Sequence, residues 1–318
     1  MSDKAYIDKL EKLFKKSVAD YVQKVDKPYG IFLSGGVDSG LLAALANPRP
    51  DIAFTCRFPY GEKYDEFEYA KKIVKYLGIK KHEIIEVTKD EFHKYLPEAV
   101  KMFGMTTHFS LVPLYMLFKR VAEMGIKDIF SGEGPDEYLG GYSAYTFLTQ
   151  ENALYGVEEL KNYHYALDKY LGPITARFAR ILGVPEEEVK EHWGKYNSLL
   201  SNMGYADLKI RGIESMELKL AEEWGVNFHY PYMTSEIEKF CFEECPDELK
   251  IKGFTTKWIE KKVAEKYLPA DVVWRKNKMG GPVAPVGIWL KEKNEFDKEK
   301  YLDLQREHVG LWWKQAGA

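Results

Sequence analysis

The sequence predicts an α/β fold: a parallel sheet with helices on both faces, followed by a mostly helical C-terminal half. Three observations predict it. Short apolar runs alternate with helical patterns up to about residue 150, two of those runs end in glycine-rich turns, and beyond that point helical segments broken by Gly and Pro replace the alternation. Strands that return through helices lie parallel, and ligands of such sheets sit beyond the carboxyl ends of the strands, where both glycine turns fall.

The elements follow in order. Residues 4–25 place Tyr6, Ile7, Leu10, Leu13, Phe14, Val18, Tyr21, Val22 and Val25 at three- and four-residue spacings among charged residues, which predicts an amphipathic helix packed on the main body. After the Lys27-Pro28 break, Gly30 to Leu33 reads as a strand, Ser34-Gly35-Gly36 as a tight turn and Leu41 to Ala46 as a helix. Ile52 to Phe58 is a second strand, Asp65 to Leu77 a helix closed by Gly78, and His82 to Val87 a third strand. Leu111 to Met124 is a helix closed by Gly125, and Lys127 to Phe130 is a fourth strand. From there the sequence reads as all helix, punctuated by Gly172-Pro173, Gly183-Val184-Pro185 and Cys245-Pro246. The chain divides on this reading into an N-terminal helix (1–28), an α/β part (29–150) and a helical part (151–318).

Composition narrows the function class. Lys and Arg total 46 against 49 Asp and Glu, a formal net charge of −3 with a pI near 6.2, so no global field draws the chain to a phosphodiester backbone and a nucleic-acid substrate is disfavoured. Three cysteines imply no disulfide framework; Cys241 and Cys245 read as half-buried residues one helical turn apart. No apolar stretch is long enough to cross a membrane and the N-terminus lacks a signal-peptide core, so a cytoplasmic protein is expected.

Two turns carry chemistry. Ser34-Gly35-Gly36-Val37-Asp38-Ser39 sits at a strand end and opens a helix, where unpaired backbone N–H groups and the helix dipole favour an anion. Glycines admit phosphate oxygens close to the backbone and two serine hydroxyls add donors. Asp38 would repel a phosphate unless a divalent cation lies between them, as Mg²⁺ does when carboxylates and phosphates share it. The turn lacks the GK[ST] ending of a Walker A loop. The second turn, Ser131 to Tyr142, packs four glycines and three carboxylates into a dozen residues. Its physical use is to bring backbone and acid groups close to a substrate, with Asp136 completing a two-carboxylate Mg²⁺ site opposite Asp38.

The first turn resembles the SGGxDS pyrophosphate-binding loop (PP-loop) of the N-type ATP pyrophosphatases, enzymes of adenine nucleotide alpha hydrolase-like fold that cleave ATP between its α and β phosphates. The second resembles the SGEGxDExxGGY signature of the synthetase domain of asparagine synthetases and their β-lactam-forming relatives. That resemblance implies that Ser34, Gly35, Gly36, Val37, Asp38 and Ser39 bind the pyrophosphate, that Asp38 and Asp136 hold Mg²⁺, and that Ser131, Gly132 and the strand residue Cys56 border the AMP moiety. It implies further that Glu133 and Tyr142 lie beside the reacting acyl group. The segment Arg275 to Leu290 is similar to the family's RxxKMGFxxPxxxWL stretch and assigns Lys278 to the charge that develops as the acyl-adenylate is attacked. Lys257-Trp258 also matches and reads as packing.

Two departures bear on substrate. The family's glutamine-hydrolysing domain, which starts with a nucleophilic Cys, has no counterpart here: Ser2 follows Met1, and about thirty residues precede the first turn. Where the family reads ExRxPFLD, near the acceptor end of its site, this sequence has Asn227 to Thr234, with His229 in place of Arg and Thr234 in place of Asp. An imidazole does not reproduce the bidentate grip of a guanidinium on a carboxylate, so aspartate is not the expected substrate; His229 is a substitute contact or a core histidine. The expected activity is an ATP-dependent ligase that adenylates a small carboxylate, releases pyrophosphate and passes the acyl group to ammonia or an amine, with a separate glutaminase subunit as one ammonia source and a homo-oligomer as one assembly. The alternative is adenylation of a tRNA base for sulfur or nitrogen transfer, against which stand the acidic pI and the absence of a C-x-x-C pair.

Overall fold

The structure, a computed structural model, describes residues 1–61, 65–103, 110–142, 145–146, 195–210 and 213–275. Five short strands form one sheet in the order β3-β2-β1-β4-β5, with every neighbouring pair parallel. They are β1 (Gly30–Phe32), β2 (Ile52–Arg57), β3 (Lys81–Glu86), β4 (Asp128–Phe130) and β5 (Asn227–His229). Helices α1 (Asp3–Val22), α2 (Val37–Leu45), α3 (Phe67–Leu77), α4 (Lys89–Phe103), α5 (Leu111–Glu123) and α6 (Pro135–Leu139) come from the first half. The second half adds α7 (Leu199–Ile210), α8 (Ile213–Glu223), α9 (Ser235–Lys239), a π-helical turn Phe240–Glu244, α10 (Asp247–Lys250), α11 (Trp258–Ala264) and α12 (Ala270–Val273).

Strand side chains alternate between two cores, as the pleat requires. Ile31, Ala53 and Phe130 join one core with α1, α2 and α11, while Phe54, Ile129 and Phe228 join the other with α4, α5 and α8. The apolar stripe read in the first 25 residues is the face that α1 buries through Leu10, Phe14, Val18 and Val22. Gly78 and Gly125 close α3 and α5 with φ of 67° and 68°, the left-handed conformation that glycine adopts without steric cost.

The expectation that no strand follows residue 150 is overturned by β5, which pairs with β4 through Asp128↔Asn227, Ile129↔Phe228 and Phe130↔His229. A three-residue strand is too short to show a period of two, and its existence rests on the pairing rather than on its own pattern. The sequence reading also omits α4, a fifteen-residue amphipathic helix that carries Pro97 within it, a residue that ordinarily breaks a helical pattern. Cys241 and Cys245 are free, and both are buried rather than half-buried.

The strand order fixes where a ligand goes. From β1 the chain moves outward through β2 to β3, then crosses back to place β4 on the other side of β1. Loops leaving β1 and β4 therefore diverge, and a crevice opens between them at the carboxyl ends of the two central strands.

Candidate active site

The two glycine-rich turns flank that crevice. After β1 the chain enters α2 through Gly36, whose backbone N–H donates to Ser34 Oγ at 3.1 Å, while the Ser34 N–H donates to Ser39 Oγ at 3.2 Å and the two hydroxyls lie 3.2 Å apart. Gly35 has φ 85°, and a Cβ there would stand 2.6 Å from the Glu66 carbonyl oxygen, so both conformation and space demand glycine.

After β4, the Ser131 N–H donates to the His229 carbonyl at 2.9 Å, which ties the start of the second turn to β5. Gly132 then crosses directly over the first turn: a Cβ there would lie 2.7 Å from Ser39 N and 2.9 Å from Ser39 Cα. The two turns thus touch backbone to backbone. The short helix α6 follows, and the Asp136 carboxylate lies over Gly141, where a Cβ would come within 1.7 Å of Oδ1.

Asp38 and Asp136 meet at one nitrogen. The Lys257 ammonium donates to Asp38 Oδ1 and stands 2.7 Å from Asp136 Oδ1. Lys257 is 0% exposed and takes φ 48° at the start of α11; among the described residues it is the one non-glycine with positive φ, a backbone cost of about 1–2 kcal/mol that the paired charges hold in place. Burial alone would lower its proton affinity, but the charges of Asp136, Asp38 and Glu260 outweigh that and hold it well above the usual lysine range. The expectation that Lys257 merely packs is corrected here. A buried lysine between two aspartates cannot be told from a solvated one by residue type, and its partners lie more than a hundred residues away in sequence.

One cavity gathers most of the residues singled out from sequence. Ser34, Gly36, Asp38 and Ser39 line it from the first turn, Ser131, Gly132, Glu133 and Asp136 from the second, and Cys56 from β2. Phe54, Phe58, Leu114 and Leu117 add an apolar wall. Gly35 backs onto α3 and the Val37 side chain is buried, so both shape the turn without lining the cavity. The Tyr142 hydroxyl donates to Glu137 Oε1 at 2.5 Å, behind the second turn and outside that lining. Lys278 lies outside the described residues.

The charges around the cavity are not ordinary. Burial, then the charge of Glu217, then those of Glu137, Asp136 and Asp38 push the Glu133 carboxyl well above the usual range, so it binds a proton more readily than an exposed carboxylate does. Glu217, on α8, also lines the cavity and accepts from the Tyr230 hydroxyl at 2.8 Å. Arg275 stacks over Tyr69, with its guanidinium carbon 4.7 Å from the ring centroid, and donates to Glu66 at 2.5 Å, while its buried Nη1 has no hydrogen-bond partner. Its Nη2, the nitrogen that donates to Glu66, stands 3.9 Å from where a Cβ on Gly36 would sit, so the guanidinium borders the first turn. Glu260 is 0% exposed and faces the Asp38 carboxylate; burial first, then the charge of Asp38, raises its carboxyl well above the usual range, and a proton held between the two acids fits that shift. Neither Glu217 nor Glu260 was singled out by sequence, because a single charged residue in a helical pattern reads as solvated, and Arg275 entered only as the first residue of the segment that carries Lys278.

The place between Asp38 and Asp136 fits a small hard cation. A cation, the Lys257 ammonium, already sits there, and both ligands are carboxylate oxygens from separate loops. Among the described residues no three His, Cys, Asp or Glu side chains share a ligand position, so phosphate oxygens and water would complete the shell, the arrangement Mg²⁺ favours.

The two departures from the expected acceptor segment have structural explanations. His229 Nε2 lies 2.8 Å from Asp128 Oδ1 and its ring meets Phe130 and Tyr21 edge-on, a half-buried packing position outside the cavity lining. Thr234 caps α9, accepting from the Ile237 N–H at 3.4 Å.

The chain is similar over most of its length to known proteins. The family model described as asparagine synthase matches residues 9–317. Asparagine synthetase [glutamine-hydrolyzing] 1 of Bacillus subtilis is 29% identical over 350 aligned residues, which take in 94% of this chain and 54% of that protein. Asparagine synthetase B [glutamine-hydrolyzing] of Escherichia coli is 24% identical over 325, with 94% and 49% covered. The chain spans about half the length of these curated relatives. Among solved structures, the NH3-dependent NAD synthetase from Campylobacter jejuni matches with a TM-score of 0.32 and 17% identity, over 67% of this chain and 96% of that one. Among the described residues no helix is long and apolar enough to cross a membrane.

Proposed function

Because the chain belongs to the asparagine synthase family, we propose that it is an ATP-dependent carbon–nitrogen ligase that adenylates a small carboxylate and transfers the acyl group to ammonia or an amine. The observation that carries this reading is the convergence of Asp38 and Asp136, from the turns after β1 and β4, on one cation position at the switch point of the sheet.

In this reading a substrate carboxylate oxygen attacks the α-phosphorus of ATP, the bond from that phosphorus to the bridging oxygen breaks, and pyrophosphate departs with the electron pair. The Ser34 to Ser39 turn supplies backbone and hydroxyl donors to the departing pyrophosphate, and Arg275 Nη1 is a free donor at its edge. Mg²⁺, held by Asp38 and Asp136, would neutralise charge on the phosphates. The Ser131–Gly132 backbone, Cys56 and the apolar wall take the adenylate side. Nitrogen then attacks the acyl carbon and AMP leaves. Glu133, whose carboxyl has a raised affinity for protons, takes the proton that the nitrogen gives up. Lys278 is assigned to the developing negative charge and Tyr142 to supporting the second turn through Glu137. Ammonia is ranked before larger amines as the donor. With His229 and Thr234 engaged in packing and capping, the carboxylate need not be aspartate.

The test is a screen of carboxylic acids for stimulated ATP-dependent pyrophosphate release, with ammonium and with simple amines. A stimulating acid whose effect is lost in Asp38→Asn and in Asp136→Asn is the expected result. Unaltered turnover in either variant refutes the cation assignment. Lys278→Ala should keep ATP binding and stop product formation; parallel loss of both would make Lys278 structural.

A further inference from the structure

A second cavity, of about 510 Å³, lies against the first turn. A water takes about 30 Å³, so the space holds a diphosphate and its hydration. Gly36 and Asp38 line the active-site cavity, whereas Val37, between them, lines the second, which makes the turn a wall that the two share. Charge is sorted across that wall. The described lining of the first cavity carries five carboxylates, Asp38, Glu66, Glu133, Asp136 and Glu217, and no Lys, Arg or His. The described lining of the second carries Lys257, Lys261 and Arg275 beside Thr255 and Thr256, and no Asp or Glu. Two ion pairs run through the partition: Lys257 reaches Asp38 and Asp136, and Arg275 reaches Glu66. The Arg275 side chain is 6% exposed and its Nη1 has no hydrogen-bond partner, a buried donor that an oxyanion would satisfy. Helix α2 begins at Val37, so the positive end of its dipole also favours an anion here.

We propose that this second cavity is an oxyanion site that receives inorganic pyrophosphate after it has left the α-phosphorus. The inference rests on the adenylating activity proposed above and adds where its anionic product goes. A freed diphosphate in the first cavity stands among carboxylates and beside an anionic adenylate, and like charges drive it away. Across the turn it meets Lys261 and Arg275, with the threonine hydroxyls as neutral donors. Arg275 is already held in place by its stacking on Tyr69, so its planar fork loses little freedom on gripping a phosphate. The adenylate stays behind on its own side, against Cys56 and the apolar wall. Separation of the two products by the turn keeps pyrophosphate from attacking the adenylate and reversing the first step.

The test is equilibrium dialysis of the full chain against radiolabelled pyrophosphate and Mg²⁺, alone and with a saturating ATP analogue whose α and β phosphorus atoms are joined by a methylene group that cannot be cleaved. Pyrophosphate should bind while the analogue is in place. Lys261→Met should weaken that binding by about tenfold, the loss of one charge-assisted contact, while the affinity for the analogue changes by less than about threefold. Arg275→Met should weaken pyrophosphate binding at least as much. Thr256→Val removes one hydroxyl with little change in shape and should weaken it about threefold, which keeps the site testable if Lys261→Met does not fold. Complete competition between pyrophosphate and the analogue overturns the proposal, since the anion would then occupy the nucleotide's own place. So does binding that none of these variants weakens, which would lie elsewhere on the chain. Failure of the analogue to bind refutes the adenylating reading, whereas pyrophosphate binding that Lys261→Met weakens would even then keep the anion site.

Discussion

Gly132 is where the two catalytic turns press together, and a single methyl group there should separate them. In Gly132→Ala the new Cβ would stand 2.7 Å from Ser39 N and 3.1 Å from the Asp38 carbonyl carbon. The first contact is about 0.7 Å short of ordinary van der Waals separation, and both atoms are backbone, which cannot swing aside as a side-chain tip can. Forcing that gap costs about 1–3 kcal/mol in stability and moves Asp38 relative to Asp136 by a comparable fraction of an ångström. Misplacement on that scale costs roughly a hundredfold in rate where catalysis depends on positioning. Gly78→Ala is the control. Gly78, unlike Gly132, has positive φ, at 67°, but nothing lies within 4 Å of the place its added methyl would take, so the cost is about 1 kcal/mol of backbone strain far from the site. Carboxylate-stimulated pyrophosphate release, measured with both variants well below their melting temperatures, should fall about a hundredfold in Gly132→Ala and stay near wild type in Gly78→Ala. Equal activity in the two would refute the idea that contact between the turns sets the geometry of the aspartate pair.

Other outcomes follow from the same geometry. Glu133→Gln keeps the shape of the side chain but cannot take a proton, so amide formation should fall by about two orders of magnitude while carboxylate-dependent ATP–pyrophosphate exchange persists; loss of both would place Glu133 in the first half-reaction. Thr234→Ala should cost about 0.5–1 kcal/mol in urea or thermal melts with KM for the carboxylate unchanged, because the hydroxyl caps α9 rather than meeting substrate. Glu11 gives a pH signature. Burial would raise its carboxyl, but hydrogen bonds from Lys15, Lys266 and Tyr267 prevail and lower it to about 2. The folded state therefore binds this proton less readily than the unfolded chain. The stabilisation is complete above the unfolded value near 4.3 and is lost as pH falls toward 2. Allowing for the solvent exposure of the two lysines it is worth about 1–2 kcal/mol, so Glu11→Gln should melt lower at pH 7 and match wild type near pH 2. A constant difference across that range would contradict the assignment.

Most of the fold was legible because its signals are local. An amphipathic stripe over twenty residues, an apolar run ending in glycine, and a glycine at a left-handed helix end each carry their cause within a few positions, and α1, β1, β2 and α3 stand close to where those patterns put them. The catalytic turns were legible for the same reason, since glycines, serines and acids at strand ends have few other uses. Where the signal was short, it failed: β5 has three residues and exists only through its pairing with β4.

By itself, the sequence determined the alternation of strands and helices and the two glycine-rich turns, because these follow from the types and spacing of neighbouring residues. Only the tertiary structure decided that Lys257 lies between Asp38 and Asp136, that Gly132 rests on Ser39, that Glu260 is fully buried beside Asp38, and that His229 and Thr234 serve packing and capping. Burial and charge pairing are properties of groups brought together from distant positions in the chain, and no local pattern records which lysine will lose its water.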